Sequence, residues 1–149
     1  MKKEEKAKKL ITIVKILVGR PYKYGAKMDE APRVFDCSSF IKYTYAKIGI
    51  KLPRSTIEQA EHGKRINNIK NLRAGDLIFL HGTKGHYNKK FPIGIGHVVM
   101  YLGNNKIIHA TSKRIRNYPK IVEKGAVKIE PFGKILKRRD VVVIKRILL

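Results

Sequence analysis

The stretch VFDCSSFIKYTYAKIGI at residues 34–50 decides the fold of this chain. Several of its side chains recur at helical spacing, which predicts a helix. They belong to Phe40, Ile41, Thr44, Tyr45 and Ile48. Asp36 is a favoured residue for capping a helix N-terminus, so we expect the helix to begin at Cys37. The only cysteine of the chain would then stand in the first turn of a helix.

Cys37 has two possible interpretations at this point. A sulfur at a helix N-terminus faces unpaired backbone N–H groups and the positive end of the helix dipole. Both favour the thiolate, which is the reactive form of cysteine. The alternative is an inert buried residue, because free cysteines are among the most buried side chains. A single cysteine cannot form an internal disulfide, so nothing in the sequence indicates an oxidising compartment.

The composition indicates one basic globular domain. With 149 residues, 43% of them hydrophobic, we expect a single domain over residues 1–149. The chain has 34 Lys and Arg residues against 11 Asp and Glu residues, which gives a formal net charge of +23. Such a field attracts polyanions, including nucleic acid, anionic lipid and wall polymers. The alternative is a generally Lys- and Ile-rich composition, since the basic residues are scattered along the whole chain.

The N-terminal stretch MKKEEKAKKLITIVKILVG superficially resembles a secretion signal. Lys15 interrupts its apolar run, and no Ala-x-Ala-like cleavage site follows. We therefore expect an amphipathic helix instead of a cleaved signal. No segment reaches the length needed to span a membrane, and the location of the protein stays open.

The chain divides into a helical first part and a second part with alternating hydrophobicity. Helices are predicted over residues 4–18, from Cys37 to near Gly49, and over residues 56–63 behind a Ser55 cap. Strands are predicted over residues 76–80, 97–102, 106–110, 126–129 and 141–147. Helices followed by strands predict an α+β fold. The long loop over residues 81–96 could line a cleft or be mobile.

A cysteine nucleophile needs a base, and the chain has five histidines. His81 and His86 could bind a metal, but two ligands without a third make a weak site. His97 and His109 lie in predicted strands joined by a turn at residues 103–105. If all three turn residues form the loop, both histidines share one face of the sheet, because opposed residues of an antiparallel pair point the same way. A two-residue loop would place them on opposite faces.

These segments together resemble the NlpC/P60 family of papain-like cysteine peptidases. The matching segments are Pro21-Tyr22-Lys23-Tyr24-Gly25-Ala26, Asp36-Cys37-Ser38, Leu52-Pro53-Arg54-Ser55, Gln59, Gly63, Leu72-Arg73-Ala74-Gly75-Asp76-Leu77, His97-Val98-Val99-Met100-Tyr101-Leu102-Gly103 and Ile108-His109-Ala110. They follow the family order from about Leu10 to Arg146. Ser39 departs from the family pattern, which has glycine there, and the loop before His97 is longer than the usual connection. The resemblance implies a papain-like fold, in which the nucleophile begins a helix that packs on a mostly antiparallel sheet.

The resemblance also implies a Cys–His–His site. Cys37 would attack an amide carbonyl, and His97 would accept the thiol proton and later protonate the leaving amine. His109 would orient the ring of His97. The Tyr22 hydroxyl would help the backbone N–H of Cys37 to bind the oxyanion.

Asp36 and Ser38 would lie at the substrate-binding edge of the cleft, by the same resemblance. Helix capping by Asp36 and a first-turn hydrogen bond from Ser38 are compatible local roles. Neither a cofactor nor a metal is expected.

The function implied by the resemblance is hydrolysis of cell-wall stem peptides between γ-D-glutamate and a diamino acid, through a thioester. The basic surface could hold the enzyme on anionic wall polymers. Two alternatives stay open: a basic nucleic-acid-binding module on the same fold, and an amidase or acyltransferase acting on another amide or a lipid. No recognition motif for nucleic acid is present in the sequence.

Overall fold

The computed structural model describes residues 2–82 and 85–149 and has the predicted α+β architecture. The α-helices of the described residues are α1 (Lys3–Ile16), α2 (Cys37–Ala46), α3 (Thr56–Gln59) and α4 (Phe132–Arg138). The strands are β1 (Lys64–Arg65), β2 (Leu77–Leu80), β3 (His97–Gly103), β4 (Lys106–Arg116), β5 (Val122–Pro131) and β6 (Val141–Arg146). No helix within the described residues is long and apolar enough to cross a membrane.

These strands form one antiparallel sheet in the order β1-β6-β2-β3-β4-β5. Alternate residues of its central strands face opposite sides, so the sheet has two apolar faces. On one face α1 and α2 contribute Leu10 and Phe40, which are fully buried with Met100 of β3. On the other face Phe132 and Ile135 of α4 pack in a second apolar cluster. The N-terminal helices therefore pack on an antiparallel sheet, as the resemblance implied.

The hairpin of β4 and β5 is longer than predicted. The alternation of hydrophobic residues indicated strands at 106–110 and 126–129, whereas the ladder continues to the pair Arg116↔Val122. Its outer part is exposed and charged, so hydrophobic alternation gives no signal there. Gly125 allows the two strands to approach each other, because a Cβ at this position would lie 1.9 Å from the carbonyl oxygen of Thr111.

Two short elements were missed, and one helix is shorter than predicted. The helix α4 follows Pro131 without a side-chain cap and ends at Arg139, which takes a left-handed φ of 56° usually reserved for glycine. Two common signals, a capping side chain before the helix and a glycine after it, are therefore absent from the sequence. The strand β1 has two residues, too few for a detectable pattern. The Ser55 cap is confirmed, but α3 ends at Gln59.

The turn between β3 and β4 differs from the predicted three-residue loop. Asn104 and Asn105 form a two-residue loop with φ values of 51° and 59°, and Gly103 opposes Lys106 where Leu102 was expected. The register then shifts by one residue between Tyr101 and Gly103, so that Leu102 is the extra residue of a bulge. Beyond the bulge Met100 pairs with Ile108, the register that a three-residue loop would give. We expected a two-residue loop to place the two histidines on opposite faces of the sheet. That expectation was wrong because it did not allow for the bulge.

Candidate active site

The first turn of α2 is fixed by a reciprocal pair of hydrogen bonds. The backbone N–H of Ser39 donates to Oδ1 of Asp36 at 2.8 Å, and the backbone N–H of Asp36 donates to Oγ of Ser39 at 2.9 Å. The predicted Asp36 cap is therefore confirmed, and Ser39 completes a capping box. Ser39 is fully buried, so the residue that departs from the family glycine holds the helix end that carries Cys37.

Cys37 lies in the wall of a cleft with only 8% of its surface exposed. Burial raises the pKa of the Cys37 thiol to about 12, and the neighbouring Asp36 charge raises it further. The backbone N–H groups of Val98 and Ser38 lower the pKa, as expected for a helix N-terminus, but they do not outweigh burial. Of the two interpretations of Cys37, the structure favours the buried residue over the thiolate at a helix N-terminus, and the resting residue is a thiol. The interaction with Val98 also places the sulfur beside the residue that follows His97.

The two strand histidines are hydrogen-bonded to each other and continue into an acidic residue. His97 Nε2 and His109 Nδ1 are 2.8 Å apart, and His109 Nε2 lies 2.6 Å from Oε2 of Glu130. Lys134 of α4 donates from Nζ to Oε1 of Glu130 at 2.6 Å. His109 is 3% exposed, so this chain of hydrogen bonds runs from the protein surface into the interior.

The acidic end of this series of hydrogen bonds determines which imidazole nitrogens carry a proton. Partial burial would raise the pKa of Glu130, but hydrogen bonds from Lys134 and His109 outweigh it and lower the pKa, so Glu130 is a carboxylate. A carboxylate only accepts, hence His109 Nε2 carries a proton and its Nδ1 accepts from His97 Nε2. In neutral His97 the remaining nitrogen, Nδ1, then has the free lone pair of a base.

Both imidazoles are neutral in the resting site. Burial lowers the pKa of His97 to about 3, and the neighbouring His109 lowers it further. Burial also lowers the pKa of His109, while its hydrogen bond to Glu130 opposes that shift. A neutral thiol and neutral imidazoles are the states that burial favours, because burial disfavours the charged form of each group.

An arginine outside the predicted site holds the cleft edge together. Arg54 donates from Nη2 to Oδ2 of Asp36 at 2.7 Å and from Nη1 to Oγ of Ser38 at 2.7 Å. It also donates to the backbone oxygen of Ala26. The buried Gln59 donates to the carbonyl oxygen of Ser38 at 3.0 Å. Asp36 and Ser38 therefore belong to one polar cluster at the edge of the cleft.

Tyr22 is held beside this cluster by backbone pairing on both sides. Its N–H donates to the carbonyl oxygen of Gly125 in β5 at 2.9 Å, and the next residue, Lys23, donates to Phe35 at 2.9 Å. Burial raises the pKa of Tyr22, and the neighbouring Cys37 raises it further. The hydroxyl therefore stays protonated at neutral pH and can donate a hydrogen bond into the cleft.

Comparison with known proteins assigns the chain to a family. A sequence model of the NlpC/P60 family matches residues 19–129, a range that contains Tyr22, Cys37, His97 and His109. The chain belongs to the NlpC/P60 family.

Several curated proteins resemble this NlpC/P60 chain. It is 38% identical over 98 residues to the bifunctional muramidase/DL-endopeptidase CwlT of Bacillus subtilis, covering 66% of this chain and 27% of that protein. It is 42% identical over 96 residues to the murein DD-endopeptidase MepS/murein LD-carboxypeptidase of Escherichia coli, with coverages of 63% and 44%. A probable endopeptidase NlpC homolog of Haemophilus influenzae is 35% identical over 106 residues, with coverages of 70% and 49%. The chain spans between 27% and 49% of the length of these relatives.

Solved NlpC/P60 structures share the fold. An NlpC/P60 family protein of Bacillus cereus superposes with a TM-score of 0.73 at 27% identity, covering 96% of this chain and 40% of that one. The P60 domain of an antigen from M. avium subspecies paratuberculosis gives a TM-score of 0.71 at 25% identity, with coverages of 99% and 98%.

The NlpC/P60 cleft has a volume of about 660 Å³ and three walls. Tyr22, Asp36, Cys37 and Ser38 form the first wall, and all four were predicted as site residues. The second wall comes from the described part of the long 81–96 loop, including His86, so the prediction that this loop lines a cleft is confirmed there. Residues 83 and 84 lie outside the described residues. The third wall is the β4–β5 hairpin, with Ser112, Arg114 and Glu123.

Two residues that hydrogen-bond to the candidate site residues were missed from the sequence. Arg54 was quoted within the Leu52–Ser55 segment, but nothing local indicates that it reaches Asp36, which lies 18 residues earlier. Glu130 lies one residue beyond the predicted strand 126–129. In a strand that continued to residue 130, Glu130 would share a face with Lys128, and this spacing was the available signal. No group of three potential metal ligands is found among the described residues, and His81 and His86 thus gain no third ligand there.

Proposed function

We propose that this chain is a cysteine peptidase that hydrolyses amide bonds of peptidoglycan stem peptides through Cys37, His97 and His109. Two observations carry the proposal: the hydrogen-bonded sequence Glu130–His109–His97, and a thiol that lies in the wall of an open cleft and interacts with the backbone N–H of Val98, the residue after His97. The NlpC/P60 relatives are named endopeptidases and support hydrolase activity. The bond that we propose is the one between γ-D-glutamate and a diamino acid.

Acylation begins from the neutral pair. As the sulfur of Cys37 attacks the amide carbonyl, its proton passes to Nδ1 of His97, so thiolate and imidazolium need not exist before substrate arrives. The ring then gives this proton to the amide nitrogen, the C–N bond breaks, and the amine leaves a thioester behind. His109 and Glu130 stabilise the transient imidazolium through Nε2 of His97.

Deacylation reverses the roles. Nδ1 of His97 takes a proton from water, the resulting hydroxide attacks the thioester, and the C–S bond breaks. The proton returns to the sulfur and restores the thiol. In both steps the carbonyl oxygen carries the developing charge, and the Cys37 backbone N–H and the Tyr22 hydroxyl are the donors that we assign to it.

The polar cluster at the cleft edge fits substrate positioning. We assign Asp36 and Ser38 to contacts with the polar backbone of the stem peptide, with Arg54 fixing both side chains in place. An arginine fork that holds two groups at once loses little freedom when it forms these bonds, which keeps the edge in one geometry. We also propose that residues 1–149 act as one catalytic domain, and that the +23 charge draws it to anionic wall polymers.

The test is digestion of defined muropeptides followed by mass spectrometry of the fragments. The wild-type chain is expected to release a fragment ending in γ-D-glutamate and one beginning with the diamino acid. Cys37→Ala should abolish turnover, and His97→Ala should nearly do so, while both retain the wild-type circular dichroism spectrum.

A matched control separates orientation from acid–base chemistry. His109→Ala should lower turnover less than His97→Ala, because His109 acts on the reaction only through the other ring. Full activity of Cys37→Ala on muropeptides would refute the mechanism, and cleavage at a different bond would refute the proposed specificity alone.

A further inference from the structure

A second cleft lies at the opposite edge of the sheet from the β4–β5 hairpin. It has a volume of about 640 Å³ and is formed by the segment from Lys64 to Arg73 together with Arg146 of β6. Its cationic lining residues are Lys64, Arg65, Lys70, Arg73 and Arg146. Among the described residues no aspartate or glutamate lines it. A cavity lined by cations and amides, without a carboxylate, has the chemistry of an anion site.

The strand pairing at this cleft places like charges opposite each other. The pairs are Lys64↔Arg146 and Arg65↔Lys145. Like charges directly opposed across two strands destabilise a sheet. Burial lowers the pKa of Lys145, and the nearby Arg65 and Lys90 lower it further, while the carboxylate of Glu61 opposes the shift. A fold that retains such pairs concentrates cations here at a cost in stability, as functional sites often do.

Only one of these cations is neutralised within the fold. Arg146 donates from Nε to Oδ1 of Asp76 at 2.9 Å and from Nη2 to Oδ2 at 2.8 Å. No ion pair among the described residues involves Lys64, Arg65, Lys70 or Arg73. These four charges are therefore available to an external anion.

The cleft also offers neutral donors but no stacking surface. Asn67, Asn68 and Asn71 line it, and Asn68 Oδ1 already accepts from the N–H of Lys70 at 2.9 Å, which leaves the Asn68 amide group as a donor. The apolar lining consists of Ile66 and Leu72, and no aromatic side chain lines the described cleft. Proteins that bind single-stranded nucleic acid stack its bases on aromatic rings. The lining thus suits a charged backbone without bases.

The cationic cleft shares no lining residue with the catalytic cleft. It lies on β1 and β6, whereas the histidines are on β3 and β4, with β2 between the two pairs. An anionic polymer could therefore occupy it while a peptide enters the catalytic cleft.

We propose that the cleft at Lys64–Arg73 is a binding site for a phosphodiester polymer without bases, such as a polyol phosphate, which holds the enzyme on an anionic wall. The wall location rests on the proposed function, whereas the binding of the polymer does not. Each phosphate that the cleft neutralises releases counterions, so affinity falls as salt rises.

The experiment compares two variants that lose the same charge. The cleft variant combines Lys64→Gln, Arg65→Gln, Lys70→Gln and Arg73→Gln. The control variant removes four exposed charges elsewhere through the substitutions Lys8→Gln, Lys9→Gln, Arg116→Gln and Lys120→Gln. Affinity for synthetic poly(glycerol phosphate) is measured by titration calorimetry at several salt concentrations, beside a single-stranded oligonucleotide of equal charge.

The cleft variant should lose at least tenfold in affinity for the polymer and show a shallower salt dependence, while the control variant loses less than threefold. Equal losses in the two variants would mean that net charge alone binds the polymer, and would overturn the site. Tighter binding of the oligonucleotide, lost in the cleft variant, would overturn the polymer in favour of nucleic acid.

Turnover of a soluble muropeptide separates this proposal from the catalytic one. Both variants should retain wild-type turnover, because none of the substituted residues lines the catalytic cleft. The melting temperature of the cleft variant should be no lower than that of the wild type, since opposed like charges are removed. A wild-type chain without muropeptide turnover would end the proposed function while leaving the binding result to stand.

Discussion

Glu130→Gln tests whether the hydrogen-bonded sequence behind His97 contributes to catalysis. Glutamine keeps the shape of the side chain and can still accept from His109, but it removes the negative charge that lies 2.6 Å from Nε2 of His109. A hydrogen bond to a charged group contributes about 1.5–3 kcal/mol, and about 1.4 kcal/mol is a tenfold change in rate. Glu130 is 19% exposed and shares its charge with Lys134, so we expect the lower part of this range, a loss of roughly tenfold in kcat.

The assay is steady-state kinetics on a defined muropeptide between pH 4 and pH 9. We expect kcat to fall with little change in KM, because the charge stabilises the imidazolium that exists only during the reaction. The hydrogen bond and the charge of Glu130 both raise the pKa of His109, so removal of the charge should also move the acid limb of the profile to lower pH. A purely structural role would lower the melting temperature without moving that limb.

Lys134→Met is the matched control for this prediction. The ion pair between Lys134 and Glu130 is at the surface, with the lysine 65% exposed, and such pairs contribute about 0–1 kcal/mol. Its kcat should stay within about fivefold of the wild type. Wild-type kcat and pH profile in Glu130→Gln, or equal effects of the two substitutions, would refute the reasoning.

Three further predictions follow from the burial and pairing of site residues. Because burial raises the pKa of Cys37 to about 12, iodoacetamide at pH 7.5 should alkylate the folded chain far more slowly than the urea-unfolded chain, and equal rates would contradict the buried thiol. Burial lowers the pKa of His97 from 6.5 to about 3, so between these values the unfolded state binds more protons. Stability should therefore fall as the pH drops below about 6.5, and urea titrations at pH 7.5, 5 and 4 should show a shallower decline for His97→Gln than for the wild type. Arg54→Gln should lower the free energy of unfolding by about 1–2 kcal/mol, since it leaves Oδ2 of the buried Asp36 without its charged partner, and an unchanged urea midpoint would argue against that pair.

The site could be predicted from the sequence wherever the signal is local. The Asp36 cap depends on neighbours three residues away, and the family segments name Cys37, His97 and His109 directly. Glu130 and Arg54 could not be found this way, because their partners lie 21 and 18 residues away and only the tertiary fold brings them together.

The thiol pKa shows a different limit of sequence reasoning. The expected effect of the helix N-terminus is present, since the Ser38 N–H lowers the pKa of Cys37. Burial acts in the opposite direction and is larger, and it comes from the apolar cluster in which Cys37 packs with Ile95 and Val98. The sign of the shift therefore follows from packing, which a local pattern does not contain.

The extra residue in β3 limits how this hairpin can change in evolution or by engineering. A one-residue slip in a strand moves every following side chain to the other face. Because Leu102 is the extra residue, deleting it would remove the bulge and keep the pair Met100↔Ile108, whereas deleting a paired residue between His97 and Tyr101 would turn His97 away from His109. Length changes of the β3–β4 hairpin are thus expected to be tolerated at Leu102 but not among its paired residues, and a peptide tag is better grafted at the tip of the β4–β5 hairpin near Tyr118, which is 84% exposed and beyond the histidine register.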